Sequence, residues 1–531
     1  MGLIDRRALV PLVLAAFAGC GDSEREPRRV LLVGWDGATF DVLDPMLASG
    51  DLPHLAALVA RGRTARLEST RIPISSAAWP TLVTGRGPGV HGVYSFFRPK
   101  PDSYDVRLIS ARDVDASPLW RILSGRGHGV IVWGVPVTYP PEPVRGTLVA
   151  GMLSPFDDDY AHPPGFADEL RATGFIPDLG IWQRDEIADL DEVERQLDIK
   201  ESEVLARLQR RDWLFSMIVF KSLDVLSHRP NLRQGGPEIA RVLRRLDEIL
   251  GSMVAAVGDD TTVILLSDHG FAEYRRTFDL HRWLIESGWS VSRATEVPDG
   301  ASPGPLAEAR ARARSFRLGT LDMTKSRAFA DAAEGNYCAL RLNVEGREPD
   351  GIIERGDMDE TLRALTADLR RIEFPAGVPV VTSTFRGRDL YPGPHSDAYV
   401  PDLIVELAPA WRGTTSAFGS AISVGMPPFP DHALDGIFVI AGDDVIGAPD
   451  REDLGLLDVA PIVLHALDEP IPASLTGDPH PAFFDGRGAP RRIDDASDPG
   501  MRSTEEVFRA RESSDTDRSV TDRIRSIGYG G

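Results

Sequence analysis

Short runs of Val, Ile and Leu recur at Val30–Trp35, Gly129–Gly134, Ser216–Phe220, Thr262–Ser267 and Ile437–Ala441. They are apolar at nearly every position instead of every second one, as strands buried on both faces are. Between them, apolar residues spaced three and four apart predict helices over Leu190–Leu214, Glu238–Val257 and Met358–Ile372. The alternation predicts an α/β fold with a mainly parallel central sheet and helices on both faces. Residues 279–402 carry no such strand run and are expected to form an inserted cap. From Gly486 onward Arg, Asp, Ser and Gly dominate, so 486–531 reads as a polar, flexible tail with one late helix, Ser519–Ile527.

The amino terminus carries a different pattern. Arg6-Arg7 precede an apolar run, Ala8–Gly19, that is too short to span a bilayer and ends at Cys20. Residues 1–20 therefore read as an export signal of the bacterial lipoprotein type, although Phe17 stands where such signals usually have Leu. Cys20 would be acylated, 21–27 would be a tether, and the folded domain would run over 28–485. The arginine pair also permits twin-arginine export. The expected location is the bacterial cell envelope, on the membrane through a lipid anchor.

Composition narrows the partners. The 531 residues carry a formal net charge of −21, which disfavours nucleic acid because phosphate backbones attract basic surfaces. An anionic small substrate would need a local cationic centre, and bound metal ions can supply one. Of the two cysteines only Cys338 would remain after processing, so no internal disulfide is expected.

Polar residues just after the apolar runs are the first candidates for chemistry, because ligands bind open α/β sheets at the carboxyl ends of strands. Asp36 closes the first run and is followed by Gly37. Asp224 and His228 follow the third at i, i+4 spacing, which puts both on one helical face about 6 Å apart. Asp268-His269-Gly270 closes the fourth and is hard to explain by packing. His432 stands alone in an apparent loop before the last run. Three carboxylates and three imidazoles suit two divalent ions, zinc first, with manganese or magnesium as alternatives. Two such ions would balance three carboxylates and one serine alkoxide, leaving a neutral site able to accept a phosphate anion. The nucleophile is sought at Ser75 or Ser76, where a helix amino terminus would add positive potential for phosphoryl oxygens.

These motifs resemble the type I phosphodiesterase/nucleotide pyrophosphatase branch of the alkaline phosphatase superfamily, and within it a bacterial group of predicted phosphohydrolases or phosphomutases. The carriers are Val33-Gly-Trp-Asp-Gly-Ala-Thr-Phe40, Ser75-Ser-Ala-Ala-Trp79 with Thr84-Gly85 and His91-Gly92, Asp224-Val-Leu-Ser-His228, Ser267-Asp-His-Gly-Phe271, Asn343-Val-Glu-Gly-Arg-Glu-Pro349, Asp458-Val-Ala-Pro461 and Arg525-Ser-Ile-Gly-Tyr529. The resemblance implies an alkaline-phosphatase-like fold and a metal-dependent phosphoric ester hydrolase working through a phosphoserine. It makes Ser75 the nucleophile. It also implies that Asp36, Ser75, Asp268 and His269 hold one metal and Asp224, His228 and His432 the other. The chain departs at Phe96, where nucleotide pyrophosphatases place an Asn for a phosphoryl oxygen, so nucleotide preference is not carried over. A sulfatase Cys/Ser-x-Pro-x-Arg pattern is absent around Ser75. A phosphomutase with the same site and a non-catalytic envelope-binding lipoprotein are the rival readings. The substrate pocket is expected to draw on Pro155–Arg184 and on the 279–402 insert.

Overall fold

The computed structural model describes residues 28–155, 159–177, 190–229, 235–293, 318–416, 419–448 and 450–508. Its centre is a nine-stranded sheet in the order Glu452–Gly455, Arg63–Glu68, Asp435–Ala441, Thr261–Leu266, Arg29–Trp35, Phe215–Phe220, Val130–Trp133, Gly146–Val149, Ala161–His162. All neighbours pair in parallel except around Asp435–Ala441 and Ala161–His162, which run the other way. All five predicted runs fall in this sheet. Val30, Leu31, Leu32 and Val33 are all fully buried, so both faces of the central strand are covered. The strands outside the predicted set are short, charged or at an edge, and so lack a burial pattern to read.

The predicted helices appear as Leu190–Leu208, Pro237–Val257 and Met358–Leu369. The first stops before the expected Leu214, and Arg211 beyond it takes a positive φ of 53°. Residues 328–407 contain a separate antiparallel sheet, Ala328–Glu334, Tyr337–Leu342, Leu403–Leu407 and Val381–Arg386 in that order. Leu362, Leu365 and Leu369 of the helix Met358–Leu369 pack with Leu340, Leu403 and Val405 of this sheet into a second hydrophobic core. A third sheet sets Gly270–Asp279 between Trp411–Thr414 and Ile422–Ala433.

Part of the expected tail is anchored. Arg126 pairs with Asp498, the Ser117 hydroxyl donates to the Arg502 carbonyl at 2.9 Å, and Thr504 accepts from Arg121 at 3.1 Å. These contacts tie the segment up to Phe508 to the body of the protein. The late helix at Ser519–Ile527, the signal with Cys20 and the tether lie outside the described residues. Among the described residues no helix is long and apolar enough to cross a membrane.

Candidate active site

Ends of adjacent central strands deliver the acidic residues. Asp36 follows Arg29–Trp35, and the turn at Gly37 has φ of 74°. A Cβ on Gly37 would lie 2.7 Å from a Phe271 ring carbon, so the turn needs glycine for conformation and for space. Asp268 and His269 occupy the break between Thr261–Leu266 and Gly270–Asp279. Gly270 runs so close to the neighbouring chain that a Cβ would meet the Asp435 carbonyl at 2.2 Å. Just before them, the Ser267 hydroxyl donates to Ala38 O at 2.8 Å and accepts from the Ile437 N–H at 2.9 Å, tying three strand ends together. Asp224 lies in the helix Ser222–Ser227 and His228 caps it; the i, i+4 spacing brings His228 Nε2 to 3.3 Å from Asp224 Oδ1.

His432 is on a strand, not in a loop. Ile422–Ala433 forms the edge of the third sheet, and its register sets His432 opposite Phe271. Pro427, Pro428 and Pro430 masked this strand in the sequence; an edge position tolerates them because its outer N–H groups need no partner. The His432 ring stacks on His269 with centroids 3.7 Å apart. Its Nδ1 lies 2.6 Å from the Pro73 carbonyl, which can only accept, so Nδ1 carries the proton. Nε2 is left facing Asp224 Oδ1 at 3.2 Å and His228 Nε2 at 2.8 Å.

Ser75 is the first residue of the helix Ser75–Thr84, and its Oγ lies 3.2 Å from His269 Nε2. His269 Nδ1 faces the Gly270 carbonyl at 3.1 Å, so its Nε2 is the free nitrogen, with Asp36 and Asp268 oxygens each 3.6 Å away. Trp79 Nε1 donates to Asp36 Oδ2 at 3.2 Å. The structure thus brings all seven sequence candidates together. Ligand atoms of Asp224, His228 and His432, and of Asp36, Asp224 and His269, lie within 4.8 Å of one another, with Asp224 facing both groups. Asp268 flanks the second group.

The donors fit divalent cations. Both oxygens of Asp268 and Oδ1 of Asp36 are buried without a hydrogen-bond partner, an arrangement that costs free energy unless a cation meets them. Burial, then the Asp268 and Asp224 charges, hold the Asp36 carboxyl well above its ordinary range. Burial and Asp224 push Asp268 up to about 7. Burial holds His269 well below its usual value, keeping it neutral. For Asp224 burial acts upward, but His228 and His432 outweigh it and hold the carboxyl well below its range. For His432 burial acts downward, yet Glu334, Asp224 and Asp431 raise it to about 10. The pocket therefore draws positive charge to the point where these side chains meet.

Sequence reasoning missed several neighbours. Lys221 is buried at the strand end and lowers both Asp36 and Asp224; its place directly after an apolar run was the available signal. Trp79 stands in the motif with Ser75, which assigns it no role; Glu334, Asp431 and Arg412 gave no signal, since none closes one of the predicted apolar runs. Phe96 packs with Ile72, Ile74 and Tyr94 and offers no polar group.

With this mostly parallel sheet and the buried acid and imidazole clusters at its strand ends goes a family match that makes the protein a phosphoester hydrolase of the alkaline phosphatase superfamily. The chain belongs to the type I phosphodiesterase/nucleotide pyrophosphatase family, whose model matches residues 30–424. Among curated proteins none matches in sequence. The fold is similar to phosphonoacetate hydrolase from Sinorhizobium meliloti 1021 in complex with phosphonoformate, with a TM-score of 0.56 and 14% identity over 83% of this chain and 96% of that one. Murine ectonucleotide pyrophosphatase/phosphodiesterase 5, an inactive form in complex with AMP, is similar at a TM-score of 0.49 and 14% identity, over 83% of this chain and 95% of that one.

Proposed function

We propose that the protein is a two-metal phosphoric ester hydrolase in which Ser75 is transiently phosphorylated. The observation that carries this reading is Ser75 Oγ at 3.2 Å from the free nitrogen of His269, beside carboxylate oxygens that have no partner. Asp36, Ser75, Asp268 and His269 would hold one divalent ion, zinc by the donor set, and Asp224, His228 and His432 the other. Such ions supply Lewis acidity, favouring the serine alkoxide and neutralising phosphoryl oxygens.

Ser75 Oγ forms a bond to phosphorus while the bond to the leaving alkoxide breaks. The first helical hydrogen bonds in its helix run from Ala77 and Ala78 to Ile74 O, so the N–H groups of Ser75 and Ser76 precede the ladder and can face a phosphoryl oxygen. Water then displaces Ser75, and two in-line steps give net retention at phosphorus. Buried Phe96 favours esters of non-nucleotide alcohols over nucleotides. Acylation at Cys20 would tether the enzyme, facing a small phosphorylated substrate in the envelope.

The test is turnover on a panel of monoesters and diesters, with metal content measured alongside. Ser75→Ala should lower kcat by several orders of magnitude while keeping metal, roughly as nucleophile deletions do elsewhere. Phosphopeptide mass spectrometry should find phosphate on Ser75. Full activity in Ser75→Ala, or phosphate on Ser76, rejects the assignment.

A further inference from the structure

His432 differs from the other candidate ligands in how it is held. Its ring nitrogen, its backbone N–H and its carbonyl are each fixed by residues outside the ligand set. The N–H donates to Asp431 Oδ1 at 2.8 Å, and Asp431 is ion-paired to Arg412 on the far strand of the third sheet. The carbonyl accepts from the Tyr274 hydroxyl at 2.7 Å.

The remaining contacts come from the second core, through the turn between Ala328–Glu334 and Tyr337–Leu342. Gly335 in that turn has φ of 54°, and a Cβ there would sit 2.1 Å from the His432 carbonyl oxygen and 3.1 Å from the Tyr274 hydroxyl. The turn cannot back away, because the Gly413 N–H donates to the Gly335 carbonyl at 2.8 Å and Asn336 Nδ2 to Leu407 O at 3.1 Å. Beside it the Glu334 side chain, 12% exposed, brings Oε1 to 3.8 Å from His432 Nδ1. Nδ1 is the nitrogen that holds Pro73 O, two residues before Ser75.

We propose that the turn Glu334–Gly335 is a positioning element: it sets the backbone of His432 from behind and orients Nε2 toward Asp224 and His228. The antiparallel sheet that ends in this turn thereby acts on the metal centre. This rests on the reading that His432 holds a metal. In this proposal Glu334 and Gly335 are positioning residues that act through His432.

Gly335→Ala forces a methyl group against the His432 carbonyl in a backbone conformation that alanine resists; Glu334→Gln keeps the shape and puts an amide where the carboxyl faces Nδ1. In chelator competition on the zinc-loaded protein, both variants should release one of two ions roughly 10- to 100-fold more readily, the range for groups that orient metal ligands. kcat should fall with KM unchanged, and the second ion should keep its parent affinity. If Gly335→Ala fails to fold, Glu334→Gln decides alone. His432→Ala separates the two claims: loss of one ion there, with parent zinc affinity in both turn variants, overturns the positioning role alone. A His432→Ala protein that keeps both ions overturns the metal reading beneath it.

Discussion

Asp36, Asp268 and His269 stand at the ends of central strands and are fully buried, whereas His228 caps a six-residue helix with 28% of its side chain exposed, and His432 rides the edge of an accessory sheet. The first half of the site inherits its geometry from the core and needs no further support. The second half is assembled from a helix, a foreign strand and a hairpin, so its ligands must be held one by one. Rigidity and access are thus divided between the halves, with Asp224 shared.

The sharpest way to break this contrast is to change one ligand in each half. Asp268→Asn should abolish measurable turnover, a loss beyond the roughly 10- to 100-fold typical of groups behind the ligands. It should also raise the melting temperature of the metal-free protein, because it removes one of three mutually repelling buried carboxylates. His228→Gln should leave measurable activity, since water can reach that position, and should lower the metal-free melting temperature, because His228 does most to offset the burial of the Asp224 carboxylate. Calorimetry on chelated protein with kinetics on loaded protein checks both; equal losses in the two variants would erase the distinction.

A smaller effect is expected at Gly37. Gly37→Ala meets both a positive φ and the Phe271 ring, so it should cost about 1–3 kcal/mol, seen as a lower denaturant midpoint. A midpoint equal to the parent would mean that the first half is softer than its burial implies.

A further effect, spread over several pH units, concerns pH. His91 accepts from Val93 N–H at Nδ1 and meets Thr81 Oγ at 3.0 Å, bracing the helix that begins at Ser75. Burial, with a smaller push from His395, lowers its pKa from 6.5 to about 3. Between those values the unfolded chain binds the proton and the folded one does not. Stability therefore falls as pH drops below 6.5, by at most about 1.4 kcal/mol per unit, and levels off near 3. In His91→Gln the slope of denaturant stability between pH 6 and 4 should be shallower than in the parent.

The central sheet was legible because its strands are buried on both faces and keep apolar residues at every position. Asp36, Asp268 and His269 were legible for the same reason, as polar residues at the ends of such runs. His432 was singled out only as a lone histidine in an apparent loop before the last run, and its place in a ligand set came from the resemblance. Its strand carries three prolines, and apart from its neighbour Asp431 what holds it, Glu334, Arg412 and Tyr274, lies on separate elements. Contacts of that kind have no period in sequence. The anchoring of the segment up to Phe508 was not legible because composition does not tell a solvated aspartate from one that, like Asp498, pairs with a distant arginine.

Ser267 carries a consequence for hydrogen exchange. One hydroxyl bridges Ala38 and Ile437, so the Ile437 amide is freed only when the strand ends bearing Asp36 and Asp268 part together. Its exchange should follow global opening of the sheet, while amides around the turn at Gly335, bonded across two smaller sheets, can exchange through local opening. The strand ends bearing Asp36 and Asp268 then part only with the sheet as a whole, whereas the turn behind His432 can open by itself.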